Sequence, residues 1–237
     1  MTRKATARTA GFTLLFYICA GILQMTLGNA ATAGAQGSAA KLARIAEHAS
    51  DLRVGILLGL LECFSALVLG VTFYAITRDE GPELALFGLV CRLCEGVLGA
   101  VGIPQTLALL WLATAGAGGG APEPGTVNAL GAYLLMPGPA PIGAIFWAAG
   151  STVFSFLLLR GKIVPVFIAW LGVLSSALLV VGLPMQLVGA LQGGSATLMW
   201  LPVLVFELAL GPWLIVKGVP EPASRAPLQP MQALRAN

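Results

Sequence analysis

Three acids and one base, Glu62, Arg92, Glu95 and Glu207, lie inside long apolar stretches of the chain. Ionisable groups placed there can pair with one another, bind a ligand or relay a proton. On insertion scales each costs ~2.5–3.5 kcal/mol near the bilayer centre, while Leu, Ile, Phe or Val each returns ~0.3–0.6 kcal/mol. Val54–Ile76 holds thirteen residues of those four apolar types and therefore tolerates Glu62. Leu84–Ala113 holds fourteen but must carry both Arg92 and Glu95. Their combined cost of ~5–7 kcal/mol leaves that segment near balance. It needs partners.

The spacing offers them. Counting ~1.5 Å per residue from the expected outer boundary puts Glu62 at about 12 Å and Glu207 at about 15 Å. Arg92 falls at about 18 Å and Glu95 at about 13–14 Å, so all four share the middle of the membrane. Arg92 and Glu95 are also three residues apart, on one helix face. Small residues flank them: Gly55, Gly59, Cys63, Ala66 and Gly70 around Glu62, and Gly88, Gly96 and Ala100 at intervals of four from Arg92. Gly211 stands one turn beyond Glu207. Such stripes let helices approach closely, so the charges are expected to face neighbouring helices rather than lipid. With three acids against one base, charge balance calls for a proton on at least one carboxylate. The cluster is read either as a buried ionic network that fixes helix order or as a binding or proton-relay site.

Other chemistry is poorly supplied. Cys91-Arg-Leu-Cys94 has CxxC spacing but sits within an apolar segment, with no second pair and a single histidine, His48, elsewhere in the chain. With Cys19 and Cys63 these thiols read as packing residues. There is no HExxH, GxSxG, phosphate loop or dinucleotide fingerprint. Gly116–Gly120 is a flexible connection. No metal, cofactor or enzymatic activity is expected, and a net charge of +3 gives no argument for nucleic acid.

The elements that must position the cluster are transmembrane helices. Of 237 residues, 57% are hydrophobic and 10% charged, with a mean hydropathy of +0.89. Soluble domains carry about 25% charged residues. About 20 apolar residues span a hydrocarbon core of ~30 Å, and six segments qualify: 11–27, 54–76, 84–113, 140–159, 163–183 and 197–216. The fold class is thus an all-α bundle of six spans, in one domain over 1–217. The third segment would reach ~45 Å as one straight helix, so it must tilt, bend at Pro104 or project from the bilayer. Residues 39–53 form an expected amphipathic helix, with Leu42, Ile45 and Ala46, then Ala49 and Leu52, on one face. Thr114–Pro139 and Pro184–Ala196 are expected loops, and the proline-rich 218–237 a disordered tail.

Basic residues set the expected orientation. With both ends in the cytoplasm, the inner segments hold Arg3, Lys4, Arg8, Arg78, Arg160, Lys162, Lys217, Arg225 and Arg235, against Lys41, Arg44 and Arg53 outside. A competing expectation is that the N-terminus, with an apolar run from Phe12 to Leu27 followed by Gly28-Asn29-Ala30, is a cleaved secretory signal, leaving five spans.

Several stretches resemble the bacterial family of small multispanning membrane proteins known as domain of unknown function 4386. They are Ala7-Arg8-Thr9-Ala10-Gly11, the Ala40–Gly55 helix, Leu159-Arg160-Gly161-Lys162-Ile163-Val164-Pro165, Phe206-Glu207-Leu208 and Trp213–Val219. The family usually reads Arg-Ser-Gly-x-Ile-Pro-Arg between the fourth and fifth spans. Here the serine is missing, the spacing differs and Val166 follows Pro165. The resemblance implies six spans, a bacterial inner-membrane location and the placing of Glu207, and it brings no activity. The expected function is a non-catalytic accessory, regulatory or assembly component in the lipid bilayer, self-association or another membrane-protein partner being open. The alternative is a small permease-like or proton-coupled protein using Glu62, Arg92, Glu95 and Glu207.

Overall fold

The computed structural model describes residues 2–114, 123–136 and 142–220. The described residues form helices and turns with no strand, and six helical stretches are long and apolar enough to cross a membrane. In chain order the helices are α1 (Arg3–Ala30), α2 (Gly37–Glu47), α3 (Ala49–Thr77), α4 (Pro82–Thr114), α5 (Pro124–Leu134), α6 (Ile142–Arg160), α7 (Val166–Leu187), α8 (Gly194–Leu198) and α9 (Leu201–Val216).

Each spanning helix packs on the next, and the last closes on the first. The order of contact runs α1–α3–α4–α6–α7–α9 and back to α1, a closed ring. Short turns force the antiparallel neighbours: Arg78–Gly81 joins α3 to α4, and Gly161–Pro165 joins α6 to α7. Ring closure needs α1 and α9 to cross almost backbone to backbone. A Cβ on Gly11 would stand 2.6 Å from the Gly211 carbonyl oxygen, so only glycine fits there. Arg8 Nε donates to the Ile215 carbonyl at 3.2 Å, so the start of α1 and the end of α9 lie on one side. On that side Arg3 Nη2 donates to the Ile76 carbonyl at 2.7 Å, satisfying an orphan acceptor at the negative end of α3. The ring encloses an apolar core that includes Leu14, Leu69, Phe73, Phe154, Leu158, Phe206 and Leu210. Phe12, Phe64, Val97 and Phe167 project outward, as lipid-facing residues do.

Several boundaries depart from the sequence expectation. The helix expected over 39–53 breaks at His48, which ends α2 and starts α3. His48 Nδ1 lies 2.9 Å from Asp51 Oδ2, a local contact that competes with continuing the helix. Leu42, Ile45 and Leu52 are buried as expected, but Ala46 is exposed. The Thr114–Pro139 connection contains α5, started by Pro124 in its first turn. The fifth span runs through Pro184 to Leu187, because a proline near the end of a helix removes only one late hydrogen bond. The sixth is split into α8 and α9 by a turn at Met199-Trp200, just before Pro202. α4 is continuous through Pro104 over 33 residues, about 50 Å at helical rise. Its last turns project into a cap: Ala113 packs with Ala31, Ile45, Leu52 and Leu135, and Gln105 Nε2 donates to the Leu134 carbonyl at 3.1 Å. The expectations for residues 116–120, 140–141 and 221–237 lie outside the described residues.

Candidate functional site

Of the four charges predicted from sequence, three lie in the ring interior and the fourth between two of its helices. Arg92, Glu95 and Glu207 are 2%, 7% and 8% exposed, while Glu62 is half-buried in the α1–α3 seam. Arg92 Nη1 donates to Glu95 Oε2 at 2.7 Å, the one-turn pair that the spacing suggests. The second carboxylate oxygen, Glu95 Oε1, accepts from the Tyr17 hydroxyl at 2.7 Å. The Tyr17 ring also lies under the guanidinium, its centroid 5.5 Å from Arg92 Cζ. One aromatic residue thus satisfies the acid with its hydroxyl and the base with its π face. The result is a triad that ties α1 to α4.

Glycines make room for the arginine. A Cβ on Gly70 of α3 would meet Arg92 Cβ at 3.0 Å, and one on Gly150 of α6 would meet Arg92 Cγ at 3.6 Å and Cys91 Cβ at 3.0 Å. The aliphatic stem therefore threads between two helices that have no side chain at the crossing. The two small-residue stripes serve several neighbours rather than one each. Gly59 accommodates the Gln24 side chain of α1, whereas Gly70 faces α4. On α4, Gly88 faces the Phe154 ring and Gly96 the Cys63 carbonyl.

Glu62 and Glu207 stay outside the ion pair. No nitrogen of Arg92 comes within salt-bridge distance of either. Glu62 Oε1 sits 2.9 Å from where a Cβ on Gly21 would stand, so its carboxylate lies over α1. Glu207 makes no hydrogen bond among the described residues. It lines a cavity of about 20 Å³ together with Arg92, Ser151, Ser155, Phe206 and Leu210. Space of that size admits about one water molecule. Cys91 is buried and Cys94 half-buried beside the triad, and no group of three metal-ligating side chains occurs among the described residues.

Sequence reasoning directed at ionisable residues passed over Tyr17, Gln24, Ser151 and Ser155. Tyr17, Gly21 and Gln24 recur at intervals of four and three, one helical face, and that spacing was the available signal.

A ring of apolar helices around a buried polar cluster defines a polytopic α-helical integral membrane protein. The lipid-facing residues on its perimeter place it in a bilayer. Within that class, the chain belongs to the family described as Domain of unknown function (DUF4386), whose model matches residues 9–218. No curated protein and no solved structure matches it.

Proposed function

We propose that the protein is a non-catalytic component of the bacterial inner membrane, its termini in the cytoplasm, with an accessory, regulatory or assembly role. In this reading the Tyr17–Glu95–Arg92 triad organises the bundle. The supporting observation is the seating of Arg92, fully buried, paired with Glu95 at 2.7 Å and threaded past Gly70 and Gly150. The pair itself lies within α4, and the Tyr17 hydroxyl, donating to Glu95 Oε1 at 2.7 Å, is what joins that helix to α1. The reading is non-enzymatic because the polar groups join helix to helix and border a space of about 20 Å³, too small for an organic substrate.

A second reading, a small permease-like or proton-coupled protein, is favoured by Glu207, a buried acid left without a partner beside that space. One comparison separates the two. Arg92→Gln, Glu62→Gln and Glu207→Gln are assayed for recovery of folded, monodisperse protein in detergent and for solute or proton flux in liposomes. The organising reading expects Arg92→Gln to lose folded protein. Normal folding of all three with loss of a flux overturns it in favour of the second reading.

A further inference from the structure

Glu207 is more than nine-tenths buried, has no hydrogen-bond partner among the described residues and borders a cavity shared with Arg92, Ser151 and Ser155. Arg92 and Glu95 already cancel one another at 2.7 Å. An ionised Glu207 therefore adds a negative charge that the Arg92–Glu95 pair leaves uncompensated, and one proton removes it. Facing groups give no alternative counter-charge. From α4 come Arg92 and Glu95, from α1 Tyr17, and from α3, further along the seam, Glu62. α6 presents serines and has its only charged residue, Arg160, at its end, while α7 carries no charged residue at all.

The surroundings of the charge cluster that includes this acid differ on its two sides. Toward the face opposite the termini, polar groups continue along the α1–α3 seam. Tyr17 reaches Glu95, the Glu62 carboxylate lies over Gly21, and the Gln24 amide nitrogen sits 2.7 Å from where a Gly59 Cβ would stand. Glu62 and Gln24 are only half-buried. Toward the termini the cavity is floored by Leu14, Phe73, Leu158 and Leu210, all buried. Ile76 and Leu214, at 0% exposure, lie further along on that side. No polar side chain lines that floor.

We propose that the Glu207 carboxyl is a proton-binding site, served by one water held in the Arg92 cavity and reached from the membrane face opposite the chain termini. The cavity has room for that water, and its polar lining supplies the two or more partners that a buried water requires. The step is a simple proton transfer: an O–H bond forms on a Glu207 oxygen as one breaks on the protonated water, which is left neutral. The inference deepens the proton-coupled reading and rests on it only in assigning the cluster to protons. Binding at a dead-ended site needs no net transport.

The test uses the full chain in liposomes whose protein orientation has been established by labelling. Infrared difference spectra follow the carbonyl stretch of a protonated buried carboxylic acid after a pH step on one side. The expected result is a titrating band that responds to acidification of the face opposite the termini. It vanishes in Glu207→Gln, shifts in Glu207→Asp, and forms at least about tenfold more slowly in Glu62→Gln. Leu210→Ser, which places a hydroxyl in the apolar floor, is expected to admit the step from the termini side. A parent protein with no titrating band, a band untouched in both Glu207 variants, or an equal response from both faces overturns the proposal. A titrating Glu207 band without net proton flux supports the site while ending the transport reading.

Discussion

Replacing Tyr17 with phenylalanine removes one oxygen and little else, which makes it the sharpest probe of the triad. The ring stays where its centroid lies 5.5 Å from Arg92 Cζ, so the cation–π contact survives. The loss is the 2.7 Å hydrogen bond to Glu95 Oε1, which leaves that oxygen without a donor in a site only 7% exposed. Hydrogen bonds to charged groups contribute about 1.5–3 kcal/mol in soluble proteins. Within membranes, coupling energies average ~0.6 kcal/mol and reach ~1.7 kcal/mol, because the unfolded reference also finds partners. An ionised, buried acceptor with no substitute donor belongs at the upper end of the membrane range. We therefore expect Tyr17→Phe to cost about 1–2 kcal/mol, a ~5–30-fold shift in the unfolding equilibrium at about 1.4 kcal/mol per factor of ten. Equilibrium unfolding in sodium dodecyl sulfate measures it. Tryptophan fluorescence supplies the signal, since the Trp147 and Trp200 rings pack 5.8 Å apart between α6 and the α8–α9 turn. A double-mutant cycle with Glu95→Gln isolates the pairwise part. Unchanged stability in Tyr17→Phe, together with zero coupling to Glu95, would refute the triad as a cooperative unit.

Arg92→Met strands the Glu95 charge and is expected to cost ~3–5 kcal/mol, most of it recovered in the Arg92→Met/Glu95→Gln double variant; denaturation midpoints of the two decide it. Gly172→Ala places a Cβ 2.5 Å from both Phe206 and Ser155 Oγ, so overpacking should lower stability by ~1–3 kcal/mol, read by the same unfolding assay. For orientation, Ala43→Cys on exposed α2 in a background lacking the native cysteines should react with a membrane-impermeant maleimide on intact cells. Lys162→Cys in the same background should react only after lysis, and the reverse pattern places the termini outside.

The sequence carried the spans well because each is apolar over a length that only a bilayer rewards. It also carried the Arg92–Glu95 pair, a neighbour relation on one helix that requires no tertiary knowledge. Relations between helices were harder to see. The partner of Glu95 is a tyrosine 78 residues away in sequence, and a hydroxyl carries too small an insertion cost to stand out in a count of charges. Gly55–Gly70 reads as one stripe in sequence, yet the helix rotates enough along its length for Gly59 to meet α1 and Gly70 to meet α4. Prolines misled in both directions, being absorbed within α7 at Pro184 yet following a break in the final span at Pro202. Their effect depends on whether the turn before them has somewhere else to bond.

Because the last helix seals against the first, assembly on the ribosome has an enforced order. The triad joins α1 and α4, so it can form while the second half of the chain is still unmade. The pocket around Glu207 cannot, since one wall arrives with the final span. Until then the Gly11 side of α1, which meets Gly211 and Ile215 in the finished bundle, lacks its neighbour. A nascent chain stopped short of Gly211 would hold its ion pair yet remain an open arc.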